Sequence, residues 1–91
     1  MDVVDLSKVR KALSKLPKHI VTKLRAWATD VETFGLFKVR QVPGYHDEPL
    51  LGTRKGERSI RLSKSYRAIY TVSKDGLVNI VEVQEVNKHD Y

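Results

Sequence analysis

The chain has 91 residues and a formal net charge of +6, with 41% hydrophobic and 31% charged residues. This length and composition predict one globular domain over residues 1–91 and exclude a disordered chain. There is no cysteine, which excludes disulfides and thiolate metal sites. The lack of cysteine, of a secretion signal and of a membrane-spanning apolar run predicts a cytoplasmic protein.

The first two predicted elements are amphipathic helices that form a helical hairpin. In the first, over residues 5–17, apolar residues recur at spacings of three and four: Leu6, Val9, Leu13 and Leu16. Pro17 ends this helix and suits the first turn of the next. The second stripe has the same spacing: Ile20, Leu24, Trp27 and Val31. Gly35 is positioned to end it, and both stripes need a sheet to cover them.

The rest of the chain predicts antiparallel strands. An irregular connection over residues 35–56, with a short strand at FKVRQV, leads into the alternating stretches ERSIRLS and YRAIYTVS. The KDG turn then connects to LVNIVEVQEV, which is apolar on both faces at its start and is therefore predicted to be central. The order predicts an α+β domain, with the helical hairpin packed on one face of an antiparallel sheet of three to four strands.

Basic residues concentrate in the first two of these strands and the loop before them. Six lie between residues 54 and 67, against the single acid Glu57: Arg54, Lys55, Arg58, Arg61, Lys64 and Arg67. With helices on the other face, Arg61 and Arg67 are predicted to share the open face, where two guanidinium groups can hold a phosphate bidentately. A solvated basic face, or salt bridges to Glu82 and Glu85, is the alternative. The net charge favours a polyanionic partner, most often nucleic acid.

The sequence ends in HDY, which brings an imidazole, a carboxylate and a phenol together: His89, Asp90 and Tyr91. Each group can act as a general acid or base, and Tyr91 can stack on a nucleobase. An ordinary polar chain end is the alternative. His46, in a loop, and Lys55 are either surface residues or contacts to phosphate. The three histidines are far apart in sequence, so no metal site is predicted.

Residues 49–91 resemble the RelE/HigB superfamily of bacterial type II toxins, through the basic strand SYRAIY, the hairpin turn and the tail VNKHDY. The resemblance implies a small twisted antiparallel sheet with two helices on one face, as in RelE and ParE. It also implies a HigB-like mRNA interferase that cleaves messenger RNA on the ribosome. The partner that it implies is a cognate antitoxin, predicted to be a HigA-like helix-turn-helix protein.

The resemblance also implies roles for individual residues. Arg67 matches the arginine that stabilises phosphate, Tyr91 the terminal aromatic residue that transfers a proton or stacks on a base, and Asp90 the preceding acid. Arg61 and Lys55 match upstream basic positions more loosely. The remaining predicted RNA-binding residues come from the same basic region and the preceding loop: Arg54, Arg58, Lys64 and His46.

One departure from the RelE pattern leaves the acid and base open. RelE carries a second arginine after its last strand, where this chain has Asn87 and Lys88. His89 or His46 is therefore an alternative for the general acid.

The chemistry of RNA agrees with such a site, because the 2′-OH supplies the nucleophile and neither a metal nor a cofactor is required. Two other functions remain open on the same sequence. One is a ParE-like inhibitor of DNA gyrase, and the other is a non-catalytic RNA-binding domain.

Overall fold

The computed structural model describes residues 1–88. Its strands are β1 (Asp2–Asp5), β2 (Glu48–Pro49), β3 (Arg58–Arg61), β4 (Tyr66–Asp75) and β5 (Val78–Lys88). Its α-helices are α1 (Arg10–Leu13), α2 (Lys18–Phe34) and α3 (Leu36–Val39), and short 3-10 turns cover Ser7–Val9, Pro43–Tyr45 and Gly52–Arg54. The predicted α+β class is confirmed.

The five strands form one sheet in the order β1-β5-β4-β3-β2. Strands β3, β4 and β5 pair antiparallel, as predicted, and β2 adds a short antiparallel edge strand that was not predicted. Strand β5 is interior because β1 adds a parallel edge strand beside it. The sequence analysis did not predict this fifth strand. On its outer side, the Val4 amide donates to Glu32 Oε2 of α2 at 2.9 Å, so the helix satisfies a backbone group of the sheet edge.

A β-bulge in β5 allows Val83 and Val86 to lie on the same face of the sheet, against the core. Val83 and Val86 are three residues apart, which a regular strand would place on opposite faces. The register shifts between Ile69, opposite Glu85, and Tyr70, opposite Val83, so one residue of β5 is left over. As a result both valines pack against the core, while Glu85 takes the open face.

The core lies between the sheet and the helices. All four stripe residues of α2 are 0% exposed, which confirms the second predicted helix and the core position of Trp27. The Trp27 ring lies 5.3 Å from that of Tyr70, at a tilt of 45°. Tyr70 is therefore packed against Trp27 inside the core. Within residues 1–88, no helix is long and apolar enough to cross a bilayer.

Two predicted elements are wrong in extent or type. The first helix does not run over residues 5–17, because the chain opens as β1 and Asp5 Oδ1 accepts the Ser7 amide in a turn at 2.8 Å, leaving α1 only four residues. The strand predicted at FKVRQV is the helical turn α3 and the loop after it. Gly35, at a φ of 88°, redirects the chain there, and Asp2 Oδ2 accepts the Leu36 amide at 2.7 Å.

Candidate functional site

Arg61 and Arg67 lie directly opposite each other on β3 and β4. Opposite residues of an antiparallel pair point to the same face, with Cβ atoms about 5 Å apart. Both side chains line one depression, which we call the arginine pocket. Its lining residues come from three parts of the chain: His46, Glu48, Arg61, Ser63, Lys64 and Arg67. The predicted common face of the two arginines is therefore present, and the structure also brings His46 and Lys64 to it.

Arg67 is held against the sheet by two hydrogen bonds. Its Nη2 donates to Ser59 Oγ and to Glu48 Oε1, each at 2.8 Å. Ser59 is only 1% exposed, so one of these contacts lies under the pocket. Arg61, in contrast, is exposed and has no acidic side chain of residues 1–88 within salt-bridge distance. The pocket thus combines one fixed guanidinium with one available guanidinium.

Glu48 is a candidate residue that the sequence analysis missed. Its side chain is 48% exposed, and its two oxygens lie 2.8 Å from Arg67 Nη2 and 3.8 Å from His46 Nε2. An ionised, half-exposed carboxylate at this position can accept a proton from a bound group, so Glu48 is a candidate general base. No local pattern marks Glu48, because its place in the pocket comes from the pairing of β2 with Ser59 of β3.

In the segment of residues 43–49, buried and exposed side chains alternate, and this alternation places His46 and Glu48 at the pocket. Tyr45 is buried, and its hydroxyl donates to Asp30 Oδ2 of α2 at 2.8 Å. Burial, reinforced by this carboxylate, raises the pKa of Tyr45 to about 12. His46 has a left-handed backbone with a φ of 47°, and the Asp47 side chain is only 1% exposed. Residues 45 and 47 therefore point inward, and residues 46 and 48 outward.

Asp47 is the centre of a buried polar network behind the pocket. Its Oδ2 accepts the hydroxyl of Tyr70, and its Oδ1 accepts Nε of Arg58 at 2.6 Å. Burial raises the pKa of Tyr70 to about 12, Asp47 adds to this rise, and Arg40 opposes it. Arg58, one of the predicted RNA-binding residues, is engaged in this network and does not line the arginine pocket.

The other predicted site residues lie apart from the pocket or outside the described residues. Arg54 Nε contacts Glu57 at 2.8 Å and its Nη2 contacts Glu85 at 3.1 Å, and these bonds raise the pKa of Arg54. Lys55 is exposed in the loop that follows. The predicted tail residues His89, Asp90 and Tyr91 lie outside the described residues. The described part of β5 ends with Asn87 opposite Arg67 and Lys88 opposite Tyr66.

Solved toxin structures share this fold over almost the whole chain. A YoeB/ParE toxin from Agrobacterium tumefaciens matches with a TM-score of 0.66 and 22% identity, covering 98% of both chains. The toxin-antitoxin complex RelBE2 from Mycobacterium tuberculosis matches with a TM-score of 0.64 and 20% identity, over 96% of both chains. YafQ from E. coli matches with a TM-score of 0.65 and 17% identity, over 97% of this chain and 93% of the other.

Comparisons with family models and with curated proteins gave no match. None of the three toxins named above is a HigB protein, so membership of the HigB-like branch stays a prediction. The chain therefore has the fold of these YoeB/ParE, RelBE2 and YafQ toxins.

Proposed function

We propose that this chain is the toxin of a type II toxin-antitoxin system and cleaves messenger RNA on the ribosome as a metal-independent endoribonuclease. The observation that carries the proposal is the arginine pocket, in which Arg61 and Arg67 lie opposite each other beside Glu48 and His46. The fold shared with the YoeB, YafQ and RelBE2 toxins supports it. A ribosomal substrate also implies action in the cytoplasm.

The proposed reaction uses the 2′-OH of the RNA as nucleophile. Glu48 accepts its proton, and the 2′ oxygen attacks the adjacent phosphorus. Arg67 and Arg61 stabilise the charge that develops on the phosphoryl oxygens. The bond from phosphorus to the 5′ oxygen then breaks, and a general acid protonates that oxygen. The products are a 2′,3′-cyclic phosphate and a 5′-OH, and DNA is not cut because it lacks the nucleophile.

The general acid comes from one of two places in this mechanism. His46 already lines the pocket. The tail residues His89, Asp90 and Tyr91 follow a strand end that pairs beside Arg67. Three residues of chain reach at most about 10 Å, which is enough to return to a neighbouring strand. Substituting His46 by Gln, His89 by Gln, Asp90 by Asn and Tyr91 by Phe separately, and comparing the pH dependence of cleavage, identifies the contributor.

The central experiment is cleavage of a defined messenger RNA by the purified chain, with and without ribosomes. We expect cuts only when ribosomes are present, and cut ends that carry a 2′,3′-cyclic phosphate and a 5′-OH. Adding a chelator to the free toxin before mixing should cause no loss of activity. Arg67→Lys keeps the charge but loses the guanidinium fork, and we expect a fall in kcat of about 10²-fold or more. Arg25→Lys on α2 is the matched control and should behave as the unmodified chain.

Other outcomes would identify the alternatives. Loss of DNA supercoiling with intact translation after expression would contradict the proposal and favour a ParE-like gyrase inhibitor. Harmless expression without an antitoxin, together with RNA binding but no cleavage, would instead favour a non-catalytic RNA-binding domain.

We also propose a cognate antitoxin as the protein partner. The similar structures include complexes of toxin with antitoxin, among them YoeB-YefM from Staphylococcus aureus and DinJ-YafQ from E. coli. A basic RNA site is readily blocked by an acidic segment. A pull-down of this chain expressed from its native operon should recover the neighbouring gene product, and its sequence will show whether it is a HigA-like helix-turn-helix protein.

A further inference from the structure

We propose that Asp47 is a positioning residue that, through Tyr70 and Arg58, aims His46 and Glu48 at Arg67. The inference rests on the proposed function for its effect on RNA cleavage. Its structural part, that the Asp47 network holds the 43–49 segment in place, is testable without any activity.

The Asp47 carboxylate is tied to two different strands. Tyr70 is on β4 and is 0% exposed, and Arg58 is on β3 with a side chain that is 25% exposed. A carboxylate that is 1% exposed is strongly disfavoured unless its oxygens are paired. The carboxylate therefore stays where both donors can reach it, and this fixes the backbone of residue 47 relative to the sheet.

The segment needs such an anchor because its own backbone pairing is weak. Strand β2 is only two residues long, and the second of them, Pro49, has no amide to donate. The backbone of His46 also lies in the left-handed region, with a φ of 47°. Residues other than Gly adopt this conformation only under constraint. Tyr45 and Asp47 bracket His46 on both sides and supply that constraint.

The consequence is a defined distance between the candidate base and the fixed arginine. Glu48 follows Asp47 directly, and its Oε1 lies 2.8 Å from Arg67 Nη2. A displacement of about 1 Å in a catalytic group can lower a rate by about 10²-fold. A shift of Asp47 would move His46 and Glu48 together, because each is one residue away.

Two substitutions test the network with small changes of shape. Asp47→Asn removes the charge, and Tyr70→Phe removes only the hydroxyl. In the ribosome-dependent cleavage assay, we expect each to lower kcat by about 10-fold to 10²-fold with KM nearly unchanged, since Arg61 and Lys64 stay in place. In a background that carries both His46→Gln and Glu48→Gln, Asp47→Asn should have little further effect, because Asp47 acts through these two residues.

Val9→Ala is the control for a general loss of stability. Val9 is 2% exposed and belongs to the core, and the 3-10 turn that carries it packs against β5, far from β2 in the strand order. This variant should lower the melting temperature and leave kcat per folded molecule unchanged. A full additional loss from Asp47→Asn in the background that carries His46→Gln and Glu48→Gln would overturn the positioning role.

Hydrogen exchange of the full chain tests the anchor independently of catalysis. Loss of a buried hydrogen bond should speed amide exchange over residues 43–50 by about tenfold in Tyr70→Phe and Asp47→Asn, but not in Val9→Ala. Unchanged exchange in both network variants would overturn the inference. If the unmodified chain cleaves no RNA, the proposed function fails, and this exchange measurement still decides whether Asp47 holds the segment.

Discussion

Arg67 shows how one side chain serves both folding and the proposed chemistry. A guanidinium has five N–H donors, and Nη2 uses its two on Ser59 and Glu48. Among residues 1–88, Nε and Nη1 have no hydrogen-bond partner and keep three donors, so the side chain can be held by the sheet and still bind a phosphate. The sequence predicted its face from strand alternation alone. It could not predict the contact with Glu48, because that contact joins residues 19 apart in sequence through a two-residue strand.

The two buried tyrosines predict a loss of stability in alkaline solution. The pKa of both Tyr45 and Tyr70 is raised to about 12 from 10.0. The folded chain therefore binds these protons more tightly than the unfolded chain does. Below pH 10 this contribution to stability is complete, and the free energy of unfolding falls as the pH rises through about 12.

Denaturant unfolding at several alkaline pH values checks this prediction, and tyrosinate absorbance follows the ionisation. Tyr70→Phe and Tyr45→Phe should each flatten the pH dependence of the unfolding free energy. An equally steep dependence in both variants would show that other groups cause it.

At the scale of single elements, predictability followed the length of the periodic pattern. Helix α2 was predictable because its stripe repeats over four turns and is bounded by Pro17 and Gly35. Strand β1 was not, because four residues carry little periodicity and its partner β5 lies near the other end of the chain. The short strand predicted at FKVRQV failed for a related reason. The amide of Leu36, directly before this stretch, is satisfied by Asp2, which no local pattern reveals.

Asp2 is therefore expected to stabilise the junction of β1, α3 and β5. Its Oδ2 accepts the Leu36 amide at 2.7 Å and its Oδ1 accepts Nδ2 of Asn79 at 2.8 Å. The Leu36 bond first, and then the Asn79 bond, lower the pKa of Asp2. Asp2→Ala should reduce the free energy of unfolding by about 1–3 kcal/mol at neutral pH.

The difference in the free energy of unfolding between Asp2→Ala and the unmodified chain should become smaller in acid. Because the pKa of Asp2 is lower in the folded chain, its contribution is present above the ordinary value of 3.8 and is lost as the pH falls below it. Urea titrations at neutral and acidic pH measure this. Asp75→Asn, an exposed acid at the β4–β5 turn, is the control. A constant difference at all pH values would exclude the charged carboxylate as the cause.

At the scale of the whole molecule, a net charge of +6 overstates how much positive charge is available to a ligand. Arg54, Arg58 and Arg67 are each paired with an acid of the same chain. Arg61 and Lys64 line the arginine pocket, and neither has an acidic partner within salt-bridge distance among residues 1–88. In the proposed reaction, Arg61 and Lys64 therefore supply affinity for phosphate, Arg61 also stabilises the phosphoryl charge together with Arg67, and Glu48 accepts the proton.

The positions of these charges also predict the salt dependence of RNA binding. Each lost contact to a phosphate lowers the slope of log affinity against log salt by about 0.7 for a single strand. Arg61→Gln and Lys64→Gln should each do so, measured by fluorescence anisotropy with a 2′-O-methyl RNA that cannot be cleaved. Lys18→Gln, an exposed lysine at the start of α2, removes the same charge away from the pocket and should leave the slope unchanged. Equal changes in all three variants would mean that RNA responds to net charge alone, and the pocket would then lose its role as the binding site.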